Sequence, residues 1–207
     1  MVRIGWRRQY ALAHWAVENL HRPEADLPED WPEASRFRTH GAFPTYCGEY
    51  APGLTGPYAI LNGLKLLVAE VSPLKPSEEQ MLLQIGCDFM SGRDTMTPHR
   101  GLRLDTFVRM AEAMAYALSR RRGAWIQCER MQLSRKQDRE QRSLLERSVV
   151  AKRVVLILLG RGHYSVLRGF TLDSWLLFDA TGRQWMLRRG KRGYAMLKPI
   201  LMLSRAR

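Results

Sequence analysis

The chain has 207 residues, 45% of them apolar and 9% aromatic, enough for one substantial core and too much for a disordered polymer. Thirty-three Lys and Arg against twenty Asp and Glu give a net charge of +13, which favours anionic partners through the long-range field. No apolar run approaches the roughly 18 residues that a bilayer crossing requires. The first residues, Met1 to Arg8, lack a signal-peptide pattern, and Cys47, Cys87 and Cys128 stand far apart without a CxxC, which argues against a disulfide framework or a structural zinc site and suits a reducing cytoplasm.

In chain order, Gln9 to Leu20 has helical spacing through Tyr10, Ala13, Val17 and Leu20, and His21-Arg22-Pro23 ends it. Pro23, Pro28, Pro32, Pro44 and Pro52 mark the next stretch as a long arm. The organisation expected is therefore residues 1–45 as an N-terminal helix and Pro-rich arm, followed by a domain over 46–207. A helix starts near Thr55, with Thr55 as N-cap, Pro57 in the first turn, and Tyr58, Leu61, Leu64 and Val68 along one apolar face; Pro73 and Pro76 break it. Ser77 is placed to cap another helix, with Gln80 at the capping-box position and Met81, Leu82, Ile85 and Phe89 buried. Ser91 to Arg100 reads as a polar loop. Leu104 to Ser119 reads as a helix with Phe107, Met110, Met114 and Leu118 on one face.

After a first strand over Ala124 to Cys128 and a short helix over Ser143 to Ala151, the pattern changes to strands. Val154 to Leu159 is a continuous apolar run, as a strand buried on both faces requires. His163 to Phe170, Trp175 to Asp179, Trp185 to Leu187 and Ala195 to Leu203 follow as an antiparallel set. The fold class expected is α+β, with N-terminal helices packed on a C-terminal antiparallel sheet.

Two motifs carry chemistry. Thr55-Gly56-Pro57-Tyr58-Ala59-Ile60-Leu61-Asn62-Gly63-Leu64 runs from a tight loop into an apolar helix, and about a hundred residues later come Gly162-His163-Tyr164-Ser165-Val166 and Phe178-Asp179-Ala180-Thr181-Gly182. Together they resemble the papain-like cysteine peptidases, in the bacteriocin-processing, double-glycine-leader branch. The motif of that branch is roughly Gln, five residues, then Cys-Gly-Pro-x-Ala-x-x-Asn-x-Leu. The resemblance spans about Tyr46 to Gly182. It places Thr55 at the nucleophile, Glu49 at the oxyanion-hole Gln, His163 at the base and Asp179 at the residue that orients the base.

Both departures from the motif point away from thiol catalysis. A thiol at a helix N-terminus is held as thiolate by the dipole and a neighbouring imidazolium, and a hydroxyl is not. A carboxylate at the oxyanion position repels the charge it should stabilise, forfeiting about 3 kcal/mol. The resemblance then implies a bacterial pseudo-peptidase that keeps the fold and binds a peptide or protein, as exporter-associated relatives lacking the Cys hold their substrate. The alternative is an active hydrolase or acyl transferase that uses Cys47, or Thr55 itself, with His163 and Asp179. Cys87 and Cys128 read as core thiols.

The acid-free stretch from Gln184 to Arg207 and the basic region from Arg120 to Arg147 would serve an acidic peptide, a protein or a nucleic acid, or simply face solvent. No histidine spacing suggests a metal site, and no cofactor is expected.

Overall fold

The structure is a computed structural model that describes residues 55–69, 71–90, 96–97, 101–131, 138–159, 163–172, 174–179, 184–188 and 197–205; within these, the side chains of 96–97, 101, 138–141, 168, 178–179, 184–188 and 197 are outside the description. The expected N-terminal helix and Pro-rich arm, Cys47 and Glu49 lie outside the described residues.

Helix α1 (Thr55–Val68) holds a single charged residue, Lys65, in its fourteen, and every position from Gly56 to Leu64 is buried. The spacing had suggested one apolar face. The helix is instead enclosed, with the sheet on one side and α2 (Pro76–Met90) and α3 (Leu104–Arg122) on the other. Its approach to the sheet depends on Gly63, where a Cβ would stand 2.8 Å from Leu156 Cδ2 and 3.4 Å from side-chain atoms of Leu203 and Val154.

The start of α2 differs by two residues from the expected cap. Lys75 is the capping position: its carbonyl accepts from the N–H groups of Glu78 and Glu79, and Glu78 reaches back to accept the Lys75 N–H at 2.7 Å. Pro76 is then the first helical residue, where its missing N–H loses nothing. Ser77 Oγ accepts instead from Arg121 of α3. Helix α3 carries Phe107, Met110, Met114 and Leu118 fully buried, as the spacing predicts, and runs on through Arg122 to Gly123. The left-handed φ of +61° at Gly123 lets its N–H close the helix on the Ser119 carbonyl. The polar loop before α3 contains a short ribbon, β1 (Met96–Thr97) paired antiparallel with β2 (Gly101–Leu102).

The remaining strands are β3 (Ile126–Arg130), β4 (Val154–Leu159), β5 (His163–Phe170), β6 (Ser174–Asp179), β7 (Gln184–Arg188) and β8 (Leu197–Arg205). They form one six-stranded sheet in the order β3-β8-β4-β5-β6-β7, with each neighbouring pair antiparallel. The architecture is thus α+β, with α1 to α3 on one face. Helix α4 (Asp138–Val150) packs on β4 and β5. It buries Leu145 and leaves Leu144 exposed.

Strand β4 is the dividing wall between two cores. Val154 and Leu156 belong to the large cluster shared with α1, α2 and α3, whereas Val155, Ile157 and Leu159 join Leu145, Leu167, Trp175 and Leu177 on the other face. The basic C-terminal stretch is not an appended tail, because its last strand, β8, is interior to the sheet. Pro199 is tolerated there at a register irregularity opposite Leu156 and Ile157, and the neighbouring Ile200 carbonyl accepts from Met131 at 2.9 Å.

Candidate functional site

The first turn of α1 and the start of β5 are where the two sequence motifs meet the fold. Thr55 is the first residue of α1 and half-buried. Pro57 follows in the first turn, buried against Gly86 of α2, where a Cβ would lie 2.9 Å from Pro57 Cβ.

His163 opens β5 and is half-buried; in the ladder it stands opposite Leu159 of β4. Leu159 belongs to the cluster on the α4 side, as does Leu167 farther along β5. Side chains alternate along a strand, and directly opposed residues share a face. Alternation therefore places His163 and the buried Ser165 on the face opposite the one that α1 packs against. Asp179 ends β6 and pairs with Ser165 in the backbone ladder, so the His and Asp positions do come to neighbouring strands at one end of the sheet.

The residue that faces α1 from this end of β5 is Tyr164, which sequence reasoning passed over as the neighbour of His163. It is 1% exposed, and its ring stacks on Phe107 of α3 with centroids 4.0 Å apart and planes 8° from parallel. Its hydroxyl donates to the Leu102 carbonyl at 2.7 Å. Burial, with Asp105 nearby, pushes the phenol up to about 12. Leu102 and Phe107 also meet the first turn of α1, within 2.6 and 3.5 Å of where a Gly56 Cβ would be. Space that a cleft between helix and strand would need is occupied by this Leu102, Phe107 and Tyr164 packing. The signal available in the sequence was the alternation itself: in His163-Tyr164-Ser165-Val166, the buried partner of Val166 is Tyr164.

The described thiols are built for packing. Burial, assisted by Asp88, pushes Cys87 up to about 12, and burial with Glu112 nearby does the same to Cys128. Neither is poised as a thiolate. Asn62, at the motif's Asn position, is buried in the middle of α1. Among the described residues, no group of three or more His, Cys, Asp or Glu side chains could hold a metal ion, and no helix is long and apolar enough to cross a membrane.

The basic region is partly turned inward. Arg122 makes a two-pronged ion pair with Glu78, through Nε at 2.8 Å and Nη2 at 2.6 Å, and also donates to the carbonyls of Ser72 and Pro73. Arg142 pairs with Glu146 at 3.2 Å and Arg130 with Glu112 at 3.7 Å. Lys65 of α1 reaches Glu79 of α2 at 2.7 Å. The Arg122–Glu78 and Lys65–Glu79 pairs are buried, whereas the Arg130 and Arg142 pairs lie at the surface.

No protein-family model, curated protein or solved structure matches this chain.

Proposed function

We propose that the chain is a catalytically degenerate, papain-like domain that acts by binding a peptide or protein segment. The order of the elements supports the papain-like layout: a Gly-Pro helix at the centre of the molecule, further helices, then an antiparallel sheet carrying His and Asp on adjacent strands. The observation that carries the non-catalytic reading is the parity of β5. It gives Tyr164, not His163, to the face on which α1 packs. A nucleophile and its base must stand within hydrogen-bond reach of each other. A hydroxyl at the head of α1 and an imidazole on the far side of the sheet do not form such a pair.

Two measurements on the full chain test this reading. Labelling with a fluorescent iodoacetamide and with a fluorophosphonate should be the same in the parent and in His163→Ala. Stoichiometric labelling of Cys47 or Thr55 that disappears in His163→Ala would establish an active hydrolase instead. Selection of a displayed library of linear peptides on the immobilised protein should enrich a defined sequence pattern, and a library that emerges unenriched overturns the binding role.

A further inference from the structure

Helix α4 is held to the molecule far more lightly than α1. Among its described side chains, Arg142 to Val150, Leu145 and Ser148 are buried, Val149 is half-buried and the rest lie partly or fully in solvent. Helix α1, by contrast, buries ten of its fourteen residues. The second core is accordingly a property of the sheet: β4, β5 and β6 supply Val155, Ile157, Leu159, Leu167, Trp175 and Leu177, and α4 supplies Leu145. A helix of thirteen residues owes its stability to such packing, because at this length it is marginal alone. The polar tie is slight as well. Ser148 Oγ lies 3.3 Å from Met202 Sδ of β8, but its hydrogen has the better acceptor in the Leu144 carbonyl at 2.7 Å, and sulfur accepts weakly.

The end of α4 stores strain. The Lys152 N–H donates to the Val149 carbonyl at 3.0 Å and the Arg153 N–H to the Ser148 carbonyl at 2.9 Å, the bond pattern that closes a helix through one left-handed residue. That residue is Lys152, at φ +56°, the one non-glycine with positive φ among the described residues. Helix α3 makes the same kind of turn with Gly123, which has no Cβ to crowd the backbone. At Lys152 the Cβ makes the closed turn costly, and unwinding the last turn of α4 releases that cost. Strand β4 walls this core off from the larger one, so an opening on the α4 side leaves the cluster around α1, α2 and α3 intact.

We infer that α4 is a hinged cover, which lifts from β4 and β5 by unwinding at Lys152 while α1 to α3 and the six-stranded sheet stay folded. Lifting bares the strip of Val155, Ile157 and Leu167, and opens the face on which Ser165 is buried and His163 stands half-buried. Elements that move as covers are drawn from the least stable part of a fold, and light packing on a strained hinge puts α4 there. The inference goes beyond the binding role above and does not depend on it.

The test reads opening through a thiol. Val155→Cys in the full chain sets one beneath α4, because Val155 pairs with Met202, which Ser148 of α4 touches. Cys87, fully buried in the larger core, is the control within the same molecule. Both are labelled with iodoacetamide at pH 8 over a series of urea concentrations below the unfolding transition, and read by mass spectrometry of the digested chain. Without urea, the introduced thiol should react about tenfold faster than Cys87 or more. Its rate should also depend less on urea, because a local opening exposes less surface than unfolding. Added to this variant, Lys152→Gly and Lys152→Asn should each slow the labelling about fivefold, since both residues accept a left-handed φ. Leu145→Ala should speed it about tenfold or more. Equal rates and equal urea dependence for the two thiols would mean that α4 leaves only when the whole chain unfolds, and would overturn the proposal. A faster thiol whose rate is indifferent to both Lys152 changes would overturn it too, because the cover would then not open at Lys152.

Discussion

Replacing Arg122 by Met removes the cation that ties α2 and α3 together while keeping most of the aliphatic stem. The side chains of Glu78 and Arg122 are 5% and 15% exposed, and the guanidinium meets both carboxylate oxygens. The Arg122 hydrogen bonds, with the Lys75 N–H adding to them, outweigh burial and hold the Glu78 carboxyl near 2, well below its ordinary 4.5. At 1.36 kcal/mol for each pKa unit, that linkage corresponds to about 3 kcal/mol at neutral pH. Removing one partner of a buried pair leaves the other charge stranded, so Arg122→Met is expected to cost about 3 kcal/mol, measured by urea unfolding at pH 7. The Ser72 and Pro73 carbonyls lose their donor in the same step.

The pH dependence gives the sharper test. A carboxyl whose folded pKa is depressed contributes stability that is fully present above its unfolded value and is lost as pH falls towards the folded one. For Glu78 the window runs from about 4.5 down to about 2. Relative to Glu78→Gln, the parent protein should therefore lose about 2 kcal/mol of its advantage between pH 7 and pH 3. The double variant Glu78→Leu with Arg122→Met should cost less than the sum of the single changes, because no charge is left buried. A cost below about 1 kcal/mol for Arg122→Met, or a pH profile in which Glu78→Gln and the parent run parallel from pH 5 to pH 3, would refute the reasoning.

Tyr164→Phe leaves the Leu102 carbonyl buried without its donor and should cost about 1 to 2 kcal/mol in chemical unfolding. In the parent, the Tyr164 phenol should stay un-ionised in ultraviolet titration until close to pH 12. Gly63→Ala forces a methyl against Leu156, Leu203 and Val154, and should lower the midpoint of thermal unfolding by an amount equivalent to about 1 to 3 kcal/mol. Cys87 and Cys128 should resist iodoacetamide at pH 8 in the folded protein and react once urea is added, as mass spectrometry of the digested chain would show.

The elements whose residues carry their own period were legible in the sequence. Phe107, Met110, Met114 and Leu118 mark α3, and the Val154 to Leu159 run marks a strand covered on both sides, because burial imposes those patterns directly. The parts that escaped depend on partners distant in the chain. Nothing near Ser77 indicates that its hydroxyl would serve Arg121, or that Lys75 would be the cap because Glu78 is held in place by Arg122. A helix enclosed on all sides differs from a one-faced helix only in what its neighbours cover, so α1 showed its composition but not its position. The site was least legible of all. Local spacing brings a His to the start of one strand and an Asp to the end of the next, but it does not say which face of the sheet the helix will choose.

That choice is settled by parity. Val166 and Leu156 are opposed in the ladder and lie in the core that α1 shares, so Tyr164, two residues from Val166, belongs to the same side and His163 to the other. Shifting β5 by one residue against β4 would exchange them, and would also expel Tyr164 and Val166 from the larger core while moving Ser165 into it. The apolar pattern of β5 thus keeps Tyr164, and not His163, on the face that α1 packs against.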